Sequence, residues 1–237
     1  MASIRRHSDP SLKGFLRRTV SAQLHLLGTL AAIIGLALLL RNVGAKGDSR
    51  HFWACLVFGV TGILVFATST TYHFMTDGFD LSPQLDQRLE DLDHFAIFLF
   101  IAGTYTPFIL NVINPPWRQI LLCLIWVVGL LGVVYTHFRP RLPAWAQHRY
   151  VYTGIFVLMG WTLMIRIGEA LEHLSSAGVY LAVAGGLSYT VGAVIYAVKW
   201  PNPIKGLFGF HEVWHVMVLL GFGFHYAMIL NFYKPLF

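Results

Sequence analysis

The chain has 237 residues, of which 56% are hydrophobic and only 12% charged, and its mean hydropathy is +0.62. That composition excludes a water-soluble domain and describes a protein that passes repeatedly through a membrane. The formal net charge of +6 suits anionic headgroups at an inner membrane surface and gives little reason to propose a nucleic-acid partner.

Residues 1–19 read as a basic tail, carrying Arg5, Arg6, Lys13, Arg17 and Arg18, with Pro10 among polar residues that predict mobility. The apolar run that follows is longer than the core of a signal peptide, and no small-residue cleavage site comes after it, so it is expected to stay as a first helix. A helix needs about 20 apolar residues to cross roughly 30 Å of hydrocarbon. Seven stretches qualify: 20–40, 51–74, 93–113, 118–137, 150–167, 177–198 and 212–232. Residues 20–237 are therefore expected to form one all-α domain, a polytopic seven-transmembrane helix bundle. No soluble domain of useful size is left over, so any chemistry belongs to the bundle. Glycines such as Gly28, Gly35, Gly129 and Gly132 mark places where helices can approach closely, and Pro107 is expected to kink the third helix beside Asp93. Cys55 and Cys123 fall near the same ends of the second and fourth helices and read as packed thiols rather than a disulfide.

Lys and Arg are retained preferentially on the cytoplasmic side. With the amino terminus cytoplasmic, eleven of the 17 lie inside and six, from Arg41 to Lys234, lie outside. The tail supplies that difference. The expected location is the plasma (inner) membrane, crossed several times.

Parity then brings the end of the second helix and the starts of the third and seventh to one membrane face, whichever way the bundle points. The polar residues of interest are there. Ser69 and His73 are one turn apart, as are His211 and His215, and Asp93 opens the third stretch. Residues at i and i+4 share a helix face, so each pair can point into one cavity. His73, His211 and His215 are the candidate metal ligands, because three neutral imidazoles at one depth in a membrane form a metal site. His25 and His225 read as histidines bonded to neighbouring carbonyls. His225 lies about 15 Å beyond His215 along the helix, too far to share an ion, and His94 points off the face of Asp93. His211-Glu212-Val213-Trp214-His215 also reads as H-E-x-x-H, the zinc-protease signature in which the glutamate is the general base; an intramembrane metalloprotease is thus an alternative.

The stretches Ser69-Thr70-Thr71-Tyr72-His73, Leu92-Asp93-His94, Ala102-Gly103-Thr104-Tyr105-Thr106-Pro107 and His211-Glu212-Val213-Trp214-His215 resemble the motifs of the haemolysin III proteins, within the wider progestin and adiponectin receptor-like group. The resemblance implies a seven-helix bundle with Zn2+ near the cytoplasmic face, with His73, His211 and His215 as its ligands and Ser69 and Asp93 beside the metal or its water. The wider group includes alkaline ceramidases, which hydrolyse a lipid amide, and receptors whose hydrolase activity is weak.

The chemistry also follows from the residues. Three histidines leave zinc its charge and one open tetrahedral position, where a water has its pKa lowered to about 7. Asp93 is placed to orient that water or take its proton, and Ser69 to hydrogen-bond a carbonyl or a ligand imidazole. The expected function is a zinc-dependent lipid amide or ester hydrolase, or a lipid-responsive regulator of the membrane, with an acyl chain in the bundle and anionic headgroups at the inner face. A non-enzymatic receptor with a zinc brace and a pore-forming cytolysin are the other classes; the helices lack the polar stripe a wide pore needs.

Overall fold

A computed structural model describes residues 11–44 and 49–233 of the chain. The readings placed on Arg5, Arg6, Pro10, Lys46 and Lys234 lie outside these described residues. Among them, seven helices are long and apolar enough to cross a membrane. They are Val20–Gly44, Ser49–Gly78, Pro83–Val112, Trp117–Phe138, the composite Arg149–His173, Ser176–Val198 and Phe210–Tyr233, called here the first to seventh spans. A further short helix, Leu12–Arg18, lies in the stretch read as a tail, where the Ser11 hydroxyl accepts the Gly14 N–H at 3.1 Å.

Two boundaries differ from the hydropathy reading in ways that matter for the site. The third span starts at Pro83, where the Ser82 side chain caps Leu85 N–H and proline occupies the first turn. Asp93 therefore lies ten residues inside a helix instead of at its mouth. Asp86, Arg88, Glu90 and Asp91 make that first part too polar for a hydropathy scan, though nothing in it breaks a helix. The second span likewise continues past His73 to Gly78.

Successive spans pack side by side, and the seventh closes the bundle by packing on both the sixth and the first. Phe58 and Phe66 of the second span, Phe100 of the third and Phe222 of the seventh form the shared core; Phe58 stacks on Phe222 at 5.5 Å and Phe66 meets it edge-on at 5.2 Å. Close approach depends on glycine at Gly132, where a Cβ would overlap the Phe98 ring. Outward-facing Leu27, Leu131 and Leu158 are 64%, 60% and 75% exposed. That apolar exterior is what hydrocarbon, and not water, covers. Cys55, buried, and Cys123, exposed, form no disulfide. The third span runs on through Pro107, whose carbonyl accepts the Asn111 amide at 2.6 Å.

The fifth span is broken. It is α-helical over Arg149–Gly160, turns as a 3-10 segment over Thr162–Arg166 and resumes at Ile167–His173. The cause is a side chain inserted into the ladder: the Tyr105 hydroxyl donates to the Gly160 carbonyl at 2.6 Å and accepts the Leu163 N–H at 3.2 Å. One phenol thus satisfies two backbone groups within a membrane-spanning segment. Tyr105→Phe should orphan both, lowering stability by about 1–3 kcal/mol for each. A melting temperature unchanged from wild type would show that the break holds itself together.

Candidate metal centre

His73, on the last turns of the second span, and His211 and His215, on the first turns of the seventh, each offer one ring nitrogen, and these three nitrogens lie within 4.8 Å of one another. The ring centroids are 4.6 to 4.9 Å apart, and His73 Nε2 stands 3.1 Å from His211 Nε2. Donor atoms this close together are compatible with bonds of about 2.1 Å to a shared cation. His215 is 1% exposed, and its Nε2 is buried with no hydrogen-bond partner among the described residues. An orphaned imidazole nitrogen at membrane depth is costly. A metal ion removes that cost, so the residues present fit one.

Two of the three remaining ring nitrogens are held from outside the triad. His73 Nδ1 meets Asp77 Oδ2, one turn on, at 3.3 Å. His215 Nδ1 meets His25 Nε2, from the first span, at 2.6 Å. Binding a cation through His215 Nε2 places the proton on Nδ1, which then donates to His25. This is how outer partners fix tautomer and ring direction in metal sites. His25, read from sequence as a carbonyl-bonded packing residue, is instead a fourth imidazole of the cluster. The parity argument could have found it, since the first span also begins at this face, and Asp77 is signalled by its i+4 spacing from His73. His25→Phe should weaken metal binding about 10- to 100-fold. His25→Gln, whose amide oxygen falls near the position of Nε2, should restore most of that loss. Equal losses in chelator competition for both variants would reduce His25 to a space-filling role.

Ser69, 2% exposed, stands beside the Asp93 carboxyl, which lies within electrostatic reach of His73 and His94. His94 turns away, its Nδ1 against the Glu90 carbonyl at 2.8 Å and its ring edge-on to Tyr152. His225 is bonded to a carbonyl, that of Ala182, at 3.3 Å.

Glu212, the general base of the protease alternative, has its carboxylate engaged elsewhere. Its Oε1 accepts the Ser21 hydroxyl at 2.8 Å and its Oε2 accepts the Gly209 N–H at 2.7 Å. The carboxylate closes the start of the seventh span and ties it to the first.

Ser69, Asp93, His211 and His215 line one wall of a cavity of about 210 Å³ that continues between the spans past Phe100 to Tyr189 and Met228. Its further walls are mainly apolar. The arrangement therefore combines a cluster able to hold a metal ion, a buried carboxyl and room for an apolar chain.

Residues 14–226 match the haemolysin-III related family. The chain is 31% identical over 212 residues to Hemolysin-3 of Bacillus cereus, covering 89% of each chain. It is 29% identical over 211 residues to a Hemolysin-3 homolog of Bacillus subtilis (strain 168), covering 89% of this chain and 90% of that one. A more distant relative is the monocyte to macrophage differentiation factor of Homo sapiens, 22% identical over 198 residues, with 84% and 76% covered.

Proposed function

Because this chain belongs to the haemolysin III family, within the progestin and adiponectin receptor-like group, we propose that it is a zinc protein of the plasma membrane that hydrolyses an amide or ester bond of a membrane lipid. The observation that carries this reading is the convergence of His73, His211 and His215 beside the Ser69–Asp93 pair, with Ser69, Asp93, His211 and His215 lining one largely apolar cavity. Zinc suits three neutral imidazoles, and when bound it supplies Lewis-acid polarisation of a carbonyl and activation of water.

The chain's own groups do the rest. Asp93, oriented by Ser69, takes a proton from the attacking water as its oxygen bonds to the acyl carbon. It returns that proton to the departing nitrogen or oxygen as the acyl bond breaks. The cavity holds the acyl chain away from solvent, and the Lys and Arg distribution favours a site at the cytoplasmic face.

A second reading is a receptor or regulator in which zinc acts as a brace, favoured by the ligands coming from just the second and seventh spans. Protein in nanodiscs, zinc-stripped and then reloaded, separates the two when offered an N-acyl sphingosine and a phospholipid with labelled acyl chains. Zinc-dependent release of free fatty acid is the expected result. No release, together with a zinc-dependent rise in melting temperature, would leave only the brace.

A further inference from the structure

At the membrane face that carries the triad, the end of the fourth span and the start of the fifth turn two guanidinium groups toward a polar pocket of about 340 Å³. Arg139, 8% exposed, donates to Glu90 Oε1 at 2.7 Å and lies 5.3 Å above the Tyr152 ring. Arg149 lies 5.5 Å above the Tyr196 ring and reaches the Tyr196 carbonyl at 3.4 Å. The two tyrosine hydroxyls are hydrogen-bonded at 3.1 Å, and the Tyr196 ring packs 5.7 Å from that of His211. An unbroken run of side chains thus joins the pocket to the metal centre. Glu90 and Tyr152 wall both the pocket and the apolar cavity.

The charges do not balance. Glu90 engages Arg139, whereas Arg149 meets no carboxylate among the described residues, and His148 adds a further nitrogen to the wall. A guanidinium carries five N–H donors in a fork that matches phosphate or carboxylate oxygens. Stacking on tyrosine holds each fork in place without using those donors.

Resting on the hydrolase reading above, we propose that this pocket is a headgroup subsite: it takes the phosphate of an amphiphile whose acyl chain enters the adjoining cavity. The substrate is then an anionic lipid, its phosphate against Arg149 and Arg139 and its acyl carbonyl toward the triad. The same chemistry would accept free phosphate, so the source needs its own arm of the test.

Zinc-loaded protein in detergent is titrated with lysophosphatidate and with the monoacylglycerol of the same chain, which differs only in lacking phosphate. Wild type should bind the phosphate-bearing lipid at least about tenfold more tightly, the worth of a charge-assisted hydrogen-bond pair. Arg149→Gln should bring the two lipids to near equality, with zinc content unchanged, while Arg149→Lys should keep part of the preference as a point charge. Arg149 is the residue to change because Arg139→Gln strands Glu90. Equal binding of both lipids by wild type, or a preference that survives Arg149→Gln, overturns the proposal. Weak competition by inorganic phosphate supports it. Inorganic phosphate binding as tightly as the lipid assigns the pocket to the free anion and overturns the headgroup role. An intact preference with no zinc-dependent hydrolysis counts against the hydrolase reading alone, and hydrolysis with no preference counts against the subsite alone.

Discussion

His211→Ala is expected to abolish stoichiometric zinc binding, leaving a fold whose melting temperature no longer responds to added zinc. The variant keeps His73 and His215, which come from different spans, and two imidazoles do not hold the ion at the concentrations that fill three. The loss should exceed the roughly 100-fold limit of an outer-partner substitution such as His25→Phe. In wild type, zinc at about a thousand times its dissociation constant should add about 4 kcal/mol to stability, because it binds the folded chain and not the unfolded one. Elemental analysis of purified wild type and variant, with melting curves run with and without zinc, checks both halves. About one zinc per chain surviving in the variant would mean that His211 is not a ligand and that the ion, if any, sits elsewhere.

The second large effect is expected from Asp93→Asn. The amide is the same shape as the acid and keeps its place beside Ser69, but it cannot accept and return a proton. If Asp93 is the general base, acyl-bond hydrolysis should fall by about 10²- to 10⁴-fold while zinc content stays at the wild-type level. The burial of Asp93, 9% exposed, makes the isosteric change preferable to alanine, which would open a void. Retained hydrolysis in Asp93→Asn would sink the catalytic assignment and leave Asp93 as a support for Ser69 and His73. Loss of zinc along with activity would also move it from proton transfer to the scaffolding of the metal centre.

Much of this site was legible in the sequence for a specific reason. A run of about 20 apolar residues must cross the bilayer, so counting runs yields the number of helices, and their alternation yields which ends share a face. The four-residue spacings of Ser69 with His73 and of His211 with His215 then select one side of each helix. Those steps need no knowledge of which helix neighbours which. The pattern H-E-x-x-H shows where that logic stops. Spacing gave Glu212 a possible catalytic role, whereas the fold uses its carboxylate to bind Ser21 and the Gly209 N–H.

What the sequence by itself determined, then, is the seven-span membrane architecture, the shared face and the identity of the three imidazoles. The tertiary structure alone decided the lateral order and rotation of the helices. The seventh span closes on the first, and for that reason His25 reaches His215. The third span is rotated and begun early enough to set Asp93 against Ser69, and Tyr105 breaks the fifth span from across the bundle. The physical reason is that helices apolar on nearly every side carry little amphipathic signal of which face turns inward. In lipid, packing and polar satisfaction between helices settle that question. Both depend on partners far apart in the chain.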